Sequence, residues 1–169
     1  GELGYEIYVA PQFLLKLFEE MELVGKEFNL KPFGGRALMS MRLEKNWGAW
    51  TLDFRPDFTA KESGLDIFID WKKDFIGKKS AENDKSNLKL TPLIVETKDI
   101  DVTNNEAVMK DGKSIGYITS GGYAHYVKKS IAYSYLDREI SKSNEKFKVE
   151  INGDFFIKLE IKYEICDSL

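Results

Sequence analysis

Hydrophobic and polar residues alternate over residues 5–9 and then recur at helical spacing. The alternation predicts a strand that has Glu6 and Tyr8 on one face and three residues for the core on the other, namely Tyr5, Ile7 and Val9. Pro11 occupies a position that favours the start of a helix, and Gly25 a position typical of its end. Because apolar residues repeat every three or four positions between them, an amphipathic helix is expected to follow the strand.

A second helix is predicted over residues 35–44, with its charges outward and three apolar side chains inward, namely Leu38, Met39 and Met41. An irregular aromatic stretch follows over residues 47–56. Alternation then predicts a strand over residues 66–71, and a short helical turn is expected over residues 77–82. The order strand, helix, helix, strand is typical of an α+β lobe.

The polar, turn-rich segment 83–89 separates this half from an all-β half, so domains are predicted over residues 1–85 and 86–169. Two-residue hairpin turns are expected at Asp111-Gly112 and Asn152-Gly153. Strands are predicted at residues 90–96, 107–110, 114–119, 131–136, 147–151 and 155–165. Such a run of antiparallel strands favours a small Greek-key barrel or sandwich that closes its own sheet edges.

The composition narrows the possible functions. Of the 169 residues 43% are hydrophobic, and a net charge of −3 with a pI near 5.4 argues against nucleic acid as the main partner. No apolar run approaches the length of a membrane span, so no membrane partner is expected. The lone cysteine, Cys166, and the lone histidine, His125, exclude a disulfide and a cysteine- or histidine-rich metal site. We therefore expect no metal, an inert Cys166, and a structural or rim role for His125 in a loop between strands.

The strand face that carries Glu6 and Tyr8 has two interpretations. It is either a solvent-exposed polar face or a pocket wall, where a fixed carboxylate accepts two parallel N–H bonds from an amidine-like edge. Trp50 is either a lid on the core or a stacking surface. Arg36 and Arg42 lie on different faces of the second helix, where exposure is the ordinary state and one of them is a candidate for binding an anionic ligand. The residue patterns leave these alternatives open.

Several segments, taken in order, resemble one protein family. They are GELGYEIY at residues 1–8, GRALMSMRLEK at 35–45, KESGL at 61–65 with DFIGK at 74–78, and DG at 111–112 with IGYITSGG at 115–122 and KSIA at 129–132. The chain resembles the later part of the folate-binding aminomethyltransferase module. That family includes the glycine-cleavage T-protein and the folate domains of dimethylglycine and sarcosine dehydrogenases. The run GRAL, and Trp50 where T-proteins usually have tyrosine, favour the dehydrogenase branch.

The resemblance implies a partial ferredoxin-like cloverleaf lobe that binds tetrahydrofolate, followed by a small antiparallel Greek-key β-barrel. It implies that Glu6 grips the 2-amino and N3 edge of the pterin and that Tyr8 lines the same pocket. Arg36 is the implied contact for folate or its tail, and Trp50 is a candidate pocket wall. The family's catalytic aspartate would lie upstream of Gly1, so none of these residues is expected to be catalytic.

The function implied is tetrahydrofolate-dependent one-carbon transfer by the C-terminal fragment of a dimethylglycine or sarcosine dehydrogenase-like protein. Such a protein would act on a methylated glycine and carry FAD in an N-terminal domain. One alternative is an aminomethyltransferase that uses a lipoyl carrier protein and no flavin. Another is a folate-binding module without catalysis. The missing leader favours a cytoplasmic location, and the fragment alone is expected to be inactive.

Overall fold

The computed structural model describes residues 3–97, 99–143 and 146–157, with side chains up to Asp154. It divides the chain into two compact units, Gly1–Gly34 and Gly35–Leu169. The predictions for Cys166 and for the last strand beyond residue 157 lie outside the described residues. The domain boundary near residue 85 stays a prediction.

The first unit contains one long helix. A 3₁₀ turn, Pro11–Phe13, leads into helix α1 (Leu14–Gly25), and a second 3₁₀ turn, Lys26–Phe28, follows it. Pro11 and Gly25 therefore mark the start and the end of the helical segment, as predicted. Gly25 is the one buried residue of α1, and its carbonyl accepts a hydrogen bond of 2.9 Å from the N–H of Leu30. Because the Leu30 side chain packs against it, Gly25 leaves no room for a Cβ atom.

The predicted strand over residues 5–9 has no ladder partner among the residues that the structure describes in this unit. Of the residues predicted to face the core, Tyr5 is 85% exposed and Ile7 is 56% exposed. The assignment of a strand with a core-facing side was therefore wrong for this unit. A strand is stable only where a neighbour pairs with its backbone. The apolar residues of α1 are exposed as well, among them Phe18 at 51%.

Helix α2 (Gly35–Glu44) opens the second unit with the predicted bounds. Its orientation was predicted incorrectly. The buried side chains on α2 are Leu43 and, at 10% exposed, Arg42, whereas the three residues predicted to face inward are 39–49% exposed, namely Leu38, Met39 and Met41. The helix packs on the sheet through the face that carries Leu43, and Arg42 is accommodated there because a buried acid pairs with it.

The predicted strand over residues 66–71 was also wrong. Asp66–Phe68 forms a 3₁₀ turn in which the N–H of Ile69 bonds to the carbonyl of Asp66 at 3.1 Å. Ile67 is 78% exposed, so the alternating pattern has no sheet to cover. The expected helical turn follows as α3 (Lys78–Glu82), which Gly77 caps with a φ of +90°.

The described residues from 88 to 157 form a six-stranded antiparallel sheet in the order β1-β4-β3-β2-β5-β6. Its strands are β1 (Leu88–Val95), β2 (Ala107–Lys110), β3 (Lys113–Ala124), β4 (Lys129–Asp137), β5 (Lys148–Ile151) and β6 (Asp154–Ile157). The order of β1 to β4 is the predicted Greek key. A closed barrel was predicted, but β1 and β6 are open edges within the described part of the sheet. A short helix, α4 (Arg138–Lys142), connects β4 to β5.

Both predicted hairpin turns are present. Asp111 and Gly112 have φ values of 49° and 75°, and Asn152 and Gly153 have values of 51° and 87°. Positive φ at both central residues is the requirement of the tight turn that matches strand twist. The main core lies on the sheet, and strands β1 to β5 contribute residues to it, such as Leu93, Val108, Ile118, Leu136 and Val149.

Candidate functional site

Glu6 and Tyr8 lie together in the first unit. The Tyr8 hydroxyl donates a hydrogen bond of 2.6 Å to Oε2 of Glu6, and both side chains are exposed. This bond holds the proton on the phenol, so it raises the pKa of Tyr8 above its ordinary value. A carboxylate has about four lone-pair positions, and the tyrosine occupies one of them. Glu6 is thus an oriented acceptor with capacity for further donors.

Arg36 and Trp50 belong to the second unit. Arg36 is exposed in the first turn of α2, and Trp50 is 75% exposed. Among the described residues, no hydrogen bond or ring contact joins these two side chains to each other. Both side chains are therefore available to a ligand, and the large exposed indole is not a lid on the core.

The backbone around Trp50 is folded into a compact loop. The carbonyl of Ala49 accepts hydrogen bonds of 2.9 and 3.0 Å from the N–H groups of Asp53 and Phe54. Thr51 has a φ of 67°, a left-handed conformation that β-branched residues rarely adopt. The Trp50 ring meets the ring of Phe54 edge-on, with centroids 5.6 Å apart. The loop thus presents an exposed indole from a tightly closed backbone.

Asp53 fixes this loop, and the sequence patterns did not single it out as a residue of the site. Its side chain is fully buried and accepts hydrogen bonds of 2.8 Å from Nη1 of Arg42, 2.7 Å from the N–H of Ala49, and 2.7 and 2.9 Å from Oγ of Ser120. The Thr119 hydroxyl also donates to it. Two of these partners lie 66 and 67 residues further along the chain, so local spacing gives no signal for the cluster.

Arg42 is committed to this cluster. Besides Asp53, its Nη1 donates to the carbonyl of Trp47 at 3.1 Å, and its guanidinium lies 5.8 Å from the ring centre of Tyr133. The expectation that Arg42 would be exposed was therefore wrong. Because its side chain is 10% exposed and paired, it is also a poor candidate for an anionic ligand.

Tyr135 anchors the same segment to the sheet. Its hydroxyl donates to the carbonyl of Asp53 at 2.8 Å and lies 2.8 Å from Oγ of Ser63. Burial raises the pKa of Tyr135 to about 12, because the phenolate would lose its hydration. The hydroxyl is thus a neutral hydrogen-bonding group at ordinary pH rather than an acid or a base.

The loop between β3 and β4 is fixed to helix α2. Oγ of Ser40 donates to the carbonyl of Tyr123 at 2.6 Å, and Oε1 of Glu44 accepts from the N–H of Tyr126 at 2.6 Å. His125 lies in this loop, exposed, with its ring edge-on to Tyr123 at 5.1 Å between centroids. The predicted placement in a loop between strands is confirmed, and the structural or rim role of His125 stays a prediction.

A separate cavity of about 370 Å³ lies between the 59–61 turn and α3. Trp71 and Asp84 are among its lining residues, and none of the four predicted site residues is. Hydrogen bonds with the Thr59 side chain, and to a smaller extent with Ser86, lower the pKa of Asp84 to about 2. This carboxylate is therefore charged at neutral pH.

Two family models match the chain in consecutive parts. The model for the GCVT N-terminal domain matches residues 1–73, and the model for the glycine cleavage T-protein C-terminal barrel domain matches residues 89–166. The chain belongs to the glycine-cleavage T-protein family. It corresponds to the later part of that module, as the sequence resemblance indicated.

Curated relatives of two kinds match almost the whole chain. Dimethylglycine dehydrogenase of Rattus norvegicus is 37% identical over 158 residues, which is 90% of this chain and 18% of that protein. An aminomethyltransferase of Desulfitobacterium hafniense is 33% identical over 157 residues, which is 90% of this chain and 43% of that protein. The chain therefore spans less than half the length of these relatives.

A solved structure has the same fold. The glycine cleavage system aminomethyltransferase T from Bartonella henselae superposes with a TM-score of 0.78 over 92% of this chain and 44% of that chain. The sequence identity is 19%, so this likeness concerns the fold. Together with the open antiparallel sheet, it confirms the α+β class predicted from the sequence.

Proposed function

We propose that the chain contributes the later part of a tetrahydrofolate site to a one-carbon transfer enzyme. The observation that carries the proposal is the Glu6–Tyr8 pair, an exposed carboxylate oriented by a hydrogen bond of 2.6 Å. The chain's membership of the T-protein family supports it. The family resemblance assigns Glu6 to the pterin edge of tetrahydrofolate, which gives an exposed and oriented carboxylate a role in binding.

The donor set of Glu6 fits a pterin. The edge of the ring that carries the 2-amino group and N3 presents two parallel N–H donors, which is the pattern that a carboxylate accepts in a bidentate manner. The hydroxyl of Tyr8 restricts the rotation of the carboxylate and leaves acceptor positions open. Since both groups are exposed in this unit, a ligand can reach them without displacing the chain.

The other predicted residues supply contacts of a different kind. The Trp50 indole offers a flat apolar face for an aromatic ring, and the Arg36 guanidinium offers a donor fork for a carboxylate of the folate tail. When bound, tetrahydrofolate would supply N5 and N10, which together take up a one-carbon unit at the formaldehyde level as the donor amine is released. The role of these side chains is to place the folate and to exclude water from it.

Within the family, we favour a dimethylglycine or sarcosine dehydrogenase-like parent protein. The GRAL run at residues 35–38, Trp50, and the 37% identity to the rat dehydrogenase support this assignment. Such a parent would oxidise a methylated glycine with FAD bound in another domain. We predicted a cytoplasmic protein, whereas the dehydrogenase relatives of rat and human are named mitochondrial. The described residues include no helix suited to cross a membrane.

The second candidate is an aminomethyltransferase that works with a lipoyl carrier protein and without flavin. The matches to aminomethyltransferases and the fold shared with the Bartonella protein favour it. We expect the 169 residues alone to be inactive with either set of substrates, because the catalytic aspartate implied by the resemblance is not among them.

The experiment is made on the full-length parent protein. Its visible absorption spectrum is recorded, and formation of methylenetetrahydrofolate is then measured with dimethylglycine and, separately, with an aminomethylated lipoyl carrier. Bound flavin and activity with the methylated glycine support the dehydrogenase. A colourless protein that is active with the lipoyl carrier supports the second candidate. Folate binding without either activity would leave a non-catalytic module, and absence of folate binding would overturn the proposal.

A further inference from the structure

The loop that carries Trp50 is held by a buried ion pair between Arg42 and Asp53. Asp53 is fully buried, and its carboxylate bonds to the N–H of Ala49 at 2.7 Å, inside the loop itself. Its partner Arg42 bonds to the carbonyl of Trp47 at 3.1 Å, at the start of the loop. The two charged groups therefore both bond to the segment that presents Trp50, which is 75% exposed.

The opposite side of the carboxylate is fixed to the sheet. Ser120 and Thr119, on β3, donate to Asp53, and the Asp53 carbonyl accepts from Tyr135 on β4. The loop is therefore fixed by two strands of the sheet in addition to the backbone bonds within it. A fixed aromatic side chain binds a ring with little loss of conformational freedom, which is the advantage of preorganisation.

We propose that Asp53, with Arg42, is a positioning residue that holds Trp50 in the orientation in which it contacts the bound ligand. This inference rests on the proposed function, because the ligand is the aromatic part of tetrahydrofolate. Asp53 itself does not touch the ligand, since its side chain is fully buried.

The first test is spectroscopic and uses the 169-residue chain. In a W47F/W71F background, Trp50 is the one remaining tryptophan. Asp53→Asn is expected to lower the fluorescence anisotropy of Trp50 because the loop becomes mobile.

Arg42→Lys is the second variant, since it keeps a positive charge beside Asp53 but cannot also reach the carbonyl of Trp47. Asp57→Asn is the matched control, because it makes the same substitution in an exposed ion pair outside the loop, and it is expected to leave the anisotropy unchanged. An unchanged anisotropy in folded Arg42→Lys would overturn the proposal.

The second test is a double-mutant cycle on tetrahydrofolate affinity in the full-length parent protein. Arg42→Lys is expected to weaken binding about tenfold in the wild-type background and to have little effect in a Trp50→Ala background. A role that is merely structural would weaken binding equally in both backgrounds, which would contradict the proposal. If Trp50→Ala leaves the affinity unchanged while Glu6→Gln lowers it, this inference fails and the proposed function stands. If the parent binds no folate, the proposed function fails.

Discussion

Nη1 of Arg42 lies 2.8 Å from Oδ2 of Asp53, and the two side chains are 10% and 0% exposed. This buried pair connects helix α2 with the loop that carries Trp50, which we call the aromatic loop. The bonds from Ser120 and Thr119 connect both with β3. The aromatic loop is thus part of the sheet's framework rather than a loose connection. The stability of the aromatic loop and the exposure of Trp50 therefore depend on the same ion pair.

Removal of the acid from this pair should be costly. Asp53→Asn leaves the guanidinium of Arg42 buried without a charged partner, and we expect a loss of about 3–5 kcal/mol in the free energy of unfolding. Urea denaturation of the chain measures this loss. Asp57→Asn is the control, because Asp57 pairs with Arg55 at 3.1 Å but is 65% exposed. We expect under about 1 kcal/mol for the control, and equal losses in the two variants would contradict the account.

Gly116 marks a close approach between two strands. A Cβ atom at this position of β3 would lie 2.9 Å from the backbone oxygen of Tyr135 on β4. Gly116→Ala should therefore destabilise the sheet by about 1–3 kcal/mol, because a backbone atom must move. Gly122→Ala, where the nearest contact is 3.6 Å away, should change the stability by less than about 0.5 kcal/mol. Thermal unfolding compares the two, and a larger loss for Gly122→Ala would be inconsistent with this packing.

The raised pKa of Tyr135 predicts that the folded chain loses stability at alkaline pH. Its pKa is about 12 in the folded chain and near 10 when unfolded, so the folded state favours the neutral phenol. This contribution is fully present below pH 10 and is lost as the pH rises through 12. Tyr135→Phe should therefore flatten the decline of the unfolding free energy over that range, by about 2 kcal/mol or less. Chemical denaturation at pH 9 and at pH 11.5 tests this, and identical declines in wild type and variant would refute it.

The sequence was a good guide wherever local chemistry decides the structure. Pro11 opens the helical segment, and Asp111-Gly112 and Asn152-Gly153 form turns through positive φ, each where it was predicted. Gly25 is the last residue of α1 as predicted, although its backbone is right-handed and the Leu30 side chain packs against it. The Greek-key order and the family could also be predicted, since both depend on patterns along the chain.

The failures concern long-range partners. The alternation at residues 66–71 matched a strand, but no strand within the described part of the chain pairs with it, and local bonds form a turn. The orientation of α2 could not be predicted, because Arg42 is buried beside Asp53, and Asp53 is held in part by Thr119 and Ser120, which lie 66 and 67 positions further along the chain. Of the candidate site, Glu6 and Tyr8 were predicted on one face and are in contact. The roles of Arg36 and Trp50 stay predictions.

The central claim is that Glu6 binds the pterin edge of tetrahydrofolate, and the most direct measurement is the folate affinity of the full-length parent protein with Glu6→Gln. A neutral amide replaces a charged acceptor at a bidentate site, so we predict a loss of about 1.5–3 kcal/mol in binding free energy. Tyr8→Phe, which keeps the carboxylate and removes the orienting hydrogen bond of 2.6 Å, should lose less. Calorimetric titration gives both values. An unchanged affinity for Glu6→Gln in a folded protein would contradict the claim.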